Sequence, residues 1–507
     1  MGVKQTVAKK TCVSASQKKN CAPAARENPA TERARKILFV ASECQPFVGT
    51  GGLGDVMGSL PKAVAKNPAF DVRVAVPLYS EIHKNFRSQM KFLGSVTVAL
   101  SWRKQYCGVF LYESDGVKYY FVDNEYYFKR NGIYGQFDDG ERFAFFSKSI
   151  FEIFGLIDFV PDVLHCNDWQ TALVPVYLKT VYRQDARFKN LRTVFTVHNI
   201  EYQGKYSAGI LGDVFGIAPA FQSILEYDGL INLMKGAIQC CDRVTTVSES
   251  YANEILSPYH SHGLFYILRD NREKLRGILN GIDFERFDPS TDAALFAQYD
   301  AEHLAGKARD KAELQKMLNL PEAPEIPVIA MISRLVPHKG IDLVKEAIEE
   351  ILRMRVQFIV LGKGDSIFEN FFLDVQKTYS EKMRVLIAFH QDLSRKIYAG
   401  ADLFLMPSRS EPCGLAQMIA SRYGTVPVVR ETGGLRDSIR DVGCEGGGNG
   451  FTFADYNAAD LLNRICGALS AYENRDYWQS LVKKIMKIDF SWSKSAQEYE
   501  KMYRELA

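Results

Sequence analysis

Ile37-Leu38-Phe39-Val40-Ala41 leads into Gly49-Thr50-Gly51-Gly52-Leu53-Gly54-Asp55. The uninterrupted apolar run has the length of a strand covered on both faces, as in a parallel sheet between helices. The glycines let backbone approach a phosphate closely, and a following helix offers free N–H groups and the positive end of its dipole. The spacing is neither G-x-G-x-x-G nor a P-loop, so the segment alone predicts neither NAD nor ATP, and an ordinary tight turn is the competing reading. Asp55 is placed either to accept hydrogen bonds from sugar hydroxyls or to cap the helix.

Working outward, similar runs recur at 72–76, 119–122, 163–165, 194–197 and 244–247, and again at 278–279, 328–332, 357–361, 385–388, 403–406 and 426–429. Helical stretches separate them. That alternation predicts βαβ units and an α/β fold of two doubly wound, Rossmann-like sheets facing a cleft, with the boundary near residues 262–276. The first loop has a near copy in the second series: Thr432-Gly433-Gly434-Leu435-Arg436-Asp437 matches 50–55 at all but one position and again follows a strand. Ligands of such sheets bind at the carboxyl ends of strands. Near the end, Tyr499, Met502, Tyr503 and Leu506 share one helical face, which by itself predicts a helix packed on its own domain.

Composition bounds the rest. The 507 residues exceed one core's worth of chain, and 47% hydrophobic with 24% charged is ordinary globular usage. A net charge of +3 gives no field to recruit nucleic acid, and no apolar run approaches a membrane span. Ten cysteines without a CxxC spacing read as reduced thiols in a cytoplasmic protein. Residues 1–35 are basic and poor in large apolar side chains, so they read as a disordered tail, with a plastid transit peptide as the alternative.

Two loops of the second half carry candidate chemistry. Ser408-Arg409-Ser410-Glu411-Pro412-Cys413-Gly414-Leu415 follows an apolar run, and Pro412 suits a helix's first turn, placing Glu411 at its start. A carboxylate there can hold sugar hydroxyls while N–H groups hold phosphate. Cys413 has no partnered base and reads as a packing residue rather than a nucleophile. Ser333-Arg334-Leu335-Val336-Pro337-His338-Lys339-Gly340 offers two cations, Arg334 and Lys339, able to converge on one diphosphate without a metal. In the first half, 162–170 and 195–204 each place polar groups, including His165 and His198, after an apolar run. The two histidines match no zinc pattern and read as structural hydrogen bonders, so no metal is expected. Asp138-Asp139 reads as a loop.

Taken together, TGGLGDV (50–56), NGIYGQFDDGERFAFFS (131–147), HCNDWQTALVP (165–175), FTVHNIEYQG (195–204), ILNGIDFERFDP (278–289), SRLVPHKGIDLV (333–344), AGADLFLMPSRSEPCGL (399–415) and DFSWSKSAQEYEKMY (489–503) closely resemble the bacterial glycogen synthase and plant starch synthase family, from about Lys36 onward. The loop lengths are more similar to the glycogen synthase branch. The resemblance implies a GT-B fold, an ADP-glucose donor, a glycogen or other α-1,4-glucan acceptor, transfer with retention, and no cofactor. It implies an acceptor-side domain over 36–275, a nucleotide-sugar domain over 276–485, and a C-terminal helix within 486–507 that crosses back onto the first domain. It assigns Arg334 and Lys339 to the diphosphate, Glu411 and Asp55 to the glucose, and the backbone of His198 to the anomeric carbon. Thr50, Gly51, Gly52, Gly54, Asn280, Cys413, Gly414 and Leu415 fall on the donor side, with Asp168, Trp169, Asn199 and Tyr202 lining the cleft toward the acceptor.

One departure stands out. The family's first loop carries Lys where this chain has Gly49. Losing one charge-assisted contact costs about 1.5–3 kcal/mol, roughly tenfold to 150-fold in binding. Three readings follow: an active enzyme with a weaker grip, another cation in its place, or a glucan-binding regulator. A related transferase using UDP-glucose is a further alternative.

Overall fold

Val, Ile, Leu and Phe in unbroken runs have nowhere to sit but between two helical layers, and the chain folds accordingly. The computed structural model describes residue 2, residues 33–388 and residues 390–506. Its first half contains β1 Arg35–Val40, β2 Phe70–Pro77, β3 Lys91–Leu100, β4 Arg103–Ser114, β5 Val117–Asp123, β6 Val163–Asn167, β7 Arg192–Val197, β8 Lys205–Tyr206, β9 Glu226–Tyr227, β10 Leu230–Asn232, β11 Arg243–Thr246 and β12 Leu275–Gly277. Its second half contains β13 Val328–Ile332, β14 Gln357–Leu361, β15 Met383–Leu386, β16 Leu403–Met406, β17 Val426–Arg430 and β18 Phe451–Phe453.

The first sheet runs β12-β11-β7-β6-β1-β2-β5-β4-β3, parallel from β12 to β5 and antiparallel through β4 and β3. The second runs β15-β14-β13-β16-β17-β18, parallel throughout. In each, strand order reverses beside the first strand of its half: between β1 and β6, and between β13 and β16. Loops leaving neighbouring strands diverge there and open a crevice at their carboxyl ends. Ile37, Leu38, Phe39 and Val40 have no accessible surface, nor do Phe358, Ile359 and Val360. Each such side chain contributes about 1.5–3 kcal/mol by leaving water.

Several expectations need correction. The 278–279 run is not a strand; Leu275–Gly277 pairs with β11 instead, so the expected boundary at 275/276 falls inside β12 of the first sheet. Its single apolar residue gave no run to detect. The β3–β4 pair was missing from the expected strands, because its solvent-facing residues interrupt the apolar pattern. Asp139 is not in a loop: it opens the helix Asp139–Glu152 and pairs with the buried Arg142, while Asp138 pairs with Arg130 at 2.5 Å. Of the tail, Arg35 already belongs to β1 and the adjoining Arg33 pairs with Asp162 at 2.7 Å; residues 1 and 3–32 lie outside the described residues. The last helix, Trp492–Glu505, does cross back. Tyr499, Met502 and Tyr503 are buried, Tyr503 Oη lies 2.7 Å from His165 Nδ1, and Asn67 donates to Glu500 at 2.5 Å. Packing on its own domain, the simpler expectation, is thereby overturned. Among the described residues, no helix is long and apolar enough to cross a membrane.

Candidate active site

The turn after β13 and the loop after β16 are tied together. His338 O accepts from Arg409 N at 2.9 Å, and Gly340, at φ +74°, passes so close that a Cβ there would lie 2.1 Å from Pro407 O. This zipper delivers Lys339 to Glu411: Nζ donates to Oε2 at 2.6 Å, and Ser408 Oγ donates to the same oxygen at 3.2 Å. Glu411 is buried. Arg334 stays exposed and has no ion-pair partner among the described residues. His338 lies between these cations, and burial followed by the charges of Lys339 and Arg334 lowers its pKa. Glu201, from the first half, pulls the other way, so the loop after β7 faces the turn after β13 across the cleft.

The helix after Glu411 starts later than the sequence suggested. It spans Ala416–Arg422 with Leu415 as N-cap, so Pro412 and Glu411 sit in a loop and not in a first turn. The backbone turns at Gly414, φ +69°, a left-handed geometry that a helical start at Pro412 does not accommodate. Cys413 is buried, its thiol pushed up to about 12 by burial, with Asn280 as its hydrogen-bonding neighbour. Asn280 Oδ1 is a buried acceptor without a donor among the described residues.

The second Thr-Gly-Gly-Leu stretch steadies this loop. Gly434 N donates to Glu411 O at 3.1 Å. Glu254, reaching over from the first half, accepts from Gly433 N at 2.7 Å and Thr432 Oγ1 at 3.1 Å. The first Thr-Gly-Gly-Leu stretch is held in a parallel manner. Thr50 N and Oγ1 donate to Glu43 at 2.6 and 2.9 Å, and Tyr134 Oη donates to Glu43 at 2.6 Å. Gly51 is the N-cap of the helix Gly52–Ala65, with Gly54 buried in its first turn. Sequence reasoning missed Glu43, a buried carboxylate just past β1. The signal that singled out Glu411, an acid at a strand's carboxyl end, would have found it. Asp55 meets Arg286 Nη1 at 3.3 Å; burial raises its pKa and Arg286 opposes that.

At the ends of β6 and β7, Asp168 is held at φ +57°. Its carboxylate accepts from His198 N at 2.8 Å and Asn199 N at 3.4 Å, and burial raises its pKa to about 7 against those two donors. Glu43 adds a smaller upward push to both Asp55 and Asp168, which puts three carboxylates around the first switch point. His198 Nε2 lies 2.9 Å from Asn167 Oδ1, whose amide nitrogen is committed to Val40 O and His165 O, so Nε2 carries the proton. Burial lowers the His198 pKa to about 3, leaving a neutral imidazole. His165 spends both ring nitrogens on Tyr503 and Thr196. Trp169 packs edge-on against Phe143, 5.3 Å between ring centres, while Tyr202 is half exposed and Asn199 Oδ1 accepts from Glu201 N at 3.0 Å.

Two groupings therefore lie at the carboxyl ends of strands, one in each half: Arg334, Lys339 and Glu411 with Cys413–Leu415, and Thr50–Asp55 with Asp168 and His198. Ser248 Oγ donates to Pro412 O at 2.6 Å and Ser250 N to Asp437 at 2.8 Å, bridging the halves beside them.

The chain matches the family described as "Starch synthase catalytic domain" over residues 36–270 and "Glycosyl transferases group 1" over 310–484. It is 46% identical over 474 residues to a glycogen synthase of Anoxybacillus flavithermus, covering 93% of this chain and 98% of that one. It is 47% identical over 474 residues to a glycogen synthase of Clostridium acetobutylicum, covering 92% and 99%. In structure it is similar to the catalytic domain of starch synthase IV from Arabidopsis thaliana bound to ADP and acarbose, with TM-score 0.87, 34% identity, and 93% and 99% of the two chains covered. Both halves match in order and the relatives are spanned almost whole, so the chain belongs to the glycogen synthase and starch synthase family of GT-B glycosyltransferases.

Proposed function

We propose that the chain transfers glucose from ADP-glucose to the non-reducing end of an α-1,4-glucan, glycogen or starch, with retention of configuration. The observation that carries this reading is the Lys339–Glu411 contact of 2.6 Å beside Arg334, which has no ion-pair partner among the described residues, at the carboxyl ends of β13 and β16. Two cations there suit a leaving diphosphate, and a buried carboxylate already neutralised by Lys339 suits glucose hydroxyls better than nucleophilic attack. The starch synthase IV neighbour is bound to ADP and acarbose, which supports a nucleotide diphosphate and an α-glucan as the ligand classes of this chain.

Residues 278–485 supply the nucleotide-sugar wall and residues 36–277 the acceptor wall, with the C-terminal helix tying back to the latter. Gly414 and Leu415 offer backbone N–H groups to the donor, and Asn280 and Cys413 shape the floor beneath it. Asp55 and Thr50–Gly54 close over the glucose. Asp168 orients the turn at His198 so that its backbone faces the anomeric carbon, with Trp169, Asn199 and Tyr202 toward the acceptor. In the transfer, the anomeric carbon's bond to the diphosphate oxygen breaks and a bond to the acceptor 4-oxygen forms on the same face. The acceptor's proton passes to the departing diphosphate, so no protein base is required. Closure of the cleft excludes water that would hydrolyse the donor. The reaction suits the cytoplasm, where reduced cysteines persist.

The test is incorporation of labelled glucose into glycogen from ADP-glucose and UDP-glucose side by side. The expected result is turnover from ADP-glucose at least about tenfold faster, 1.4 kcal/mol in transition-state binding. Turnover from UDP-glucose alone, or none from either, overturns the reading.

A further inference from the structure

We propose that Arg286 supplies, from across the cleft, the positive charge that the first glycine-rich loop lacks, and that it is a donor-binding residue; this rests on the nucleotide diphosphate sugar proposed above.

From Ser42 to Pro61 the chain contains no Lys or Arg, yet it carries Glu43 and Asp55. This wall of the site is therefore negative, and it faces a donor whose diphosphate is negative as well. Some cation has to screen the two. Position 49, a glycine, does not provide it. A Cβ on Gly49 would lie 2.8 Å from Gln45 Nε2 and 3.3 Å from Gln45 Cδ, so the Gln45 amide, the end of a flexible side chain, now occupies the space beside the glycine.

Arg286 approaches the same loop from the opposite half. Its Nη1 lies 3.3 Å from Asp55 Oδ1 and its Nη2 donates to Gln391 Oε1 at 3.2 Å. The turn that presents it is fixed by Asp283, whose Oδ1 accepts from Arg286 N at 3.0 Å. Among the described residues it is the one cation paired with Asp55. The guanidinium is partly open to solvent, and these contacts use only two of its five N–H donors. A half-open ion pair of that length contributes little, whereas a guanidinium against a phosphate makes strong, paired hydrogen bonds. Donor binding therefore favours an exchange: Asp55 leaves Arg286 for glucose hydroxyls, and Arg286 leaves Asp55 for the phosphates. The same residue that holds Asp55 in place before binding becomes the loop's missing charge afterwards.

ADP affinity, read by calorimetry on the full chain, tests this without requiring turnover. Arg286→Ala is expected to weaken ADP about tenfold or more, and Arg286→Lys to weaken it by less than Arg286→Ala does, because the charge remains while the paired hydrogen bonds are lost. The KM for glycogen in Arg286→Ala is expected to change less than about threefold. Unchanged or tighter ADP binding in Arg286→Ala would mean that the pair is only a latch between the halves, and sinks the proposal. Equal losses of ADP and glycogen binding would sink it too, by pointing to a misassembled cleft. A parent chain that binds ADP through Arg286 but transfers no glucose would retain this inference while removing the functional reading; one that binds no ADP removes both.

Discussion

Lys339 Nζ lies 2.6 Å from Glu411 Oε2, joining two loops that leave adjacent strands on either side of the second sheet's switch point. The pair sets one charge of each sign where a diphosphate and a sugar would meet. Its geometry depends on Gly340, because any larger residue would push the two loops apart at Pro407.

Lys339→Ala leaves the buried Glu411 without its cation and removes one contact to the donor. A charge-assisted contact of this kind contributes about 1.5–3 kcal/mol, so kcat/KM for the donor is expected to fall roughly tenfold to 150-fold. Steady-state kinetics on a variant with unchanged melting behaviour checks it; activity within twofold of the parent would refute the assignment.

Glu43→Gln tests the first loop. The carboxylate accepts from Thr50 N, Thr50 Oγ1 and Tyr134 Oη, while an amide presents only one acceptor oxygen and turns an N–H toward donors. A stability loss of about 1–3 kcal/mol and a raised donor KM are expected, and Tyr134→Phe should cost less. Denaturant titration separates the two variants.

Asp168 predicts a pH signature. Its folded pKa, about 7, lies above the ordinary carboxylate value, so between roughly pH 4 and 7 the folded state holds a proton that the unfolded chain has released. Its contribution to stability therefore falls as pH rises through that window. His198, lowered to about 3, acts in the opposite sense: its stabilising contribution is lost as pH drops below roughly 6.5. The difference between parent and Asp168→Asn cancels the imidazole. Relative to the parent, Asp168→Asn should gain stability from pH 4 to 7 and level off above. A flat difference would exclude the raised pKa.

Cys413→Ala is expected to keep kcat within about tenfold, no more than 1.4 kcal/mol. The thiol is buried and pushed up to about 12, so it is protonated at neutral pH and unfit for attack. Slow alkylation at pH 8 would accompany this; rapid labelling with matching inactivation would contradict it.

How much of this was legible depended on what kind of signal each feature left. Buried parallel strands are apolar from end to end, and β1, β7, β13, β14 and β16 announced themselves. β3 and β4 alternate with exposed polar residues, and β12 has a single apolar side chain, so run length missed them. Lys339 and Glu411 were each legible as polar residues after a strand. Glu43 occupies the same kind of place, just past β1, but its role shows only in the contacts it makes with Thr50 and Tyr134. Arg286 was invisible for a different reason: 231 residues separate it from Asp55.

The sequence by itself determined that there are two α/β halves, where their glycine-rich turns lie, and which family they resemble, since apolar periodicity and turn residues act over a few neighbours in the chain. Only the tertiary structure decided which charges meet. The Lys339–Glu411, Asp55–Arg286 and Glu254–Gly433 contacts join segments 72 to 231 residues apart, and their partners are chosen by strand order and by the closeness of two backbones at a glycine, neither of which is written in local sequence.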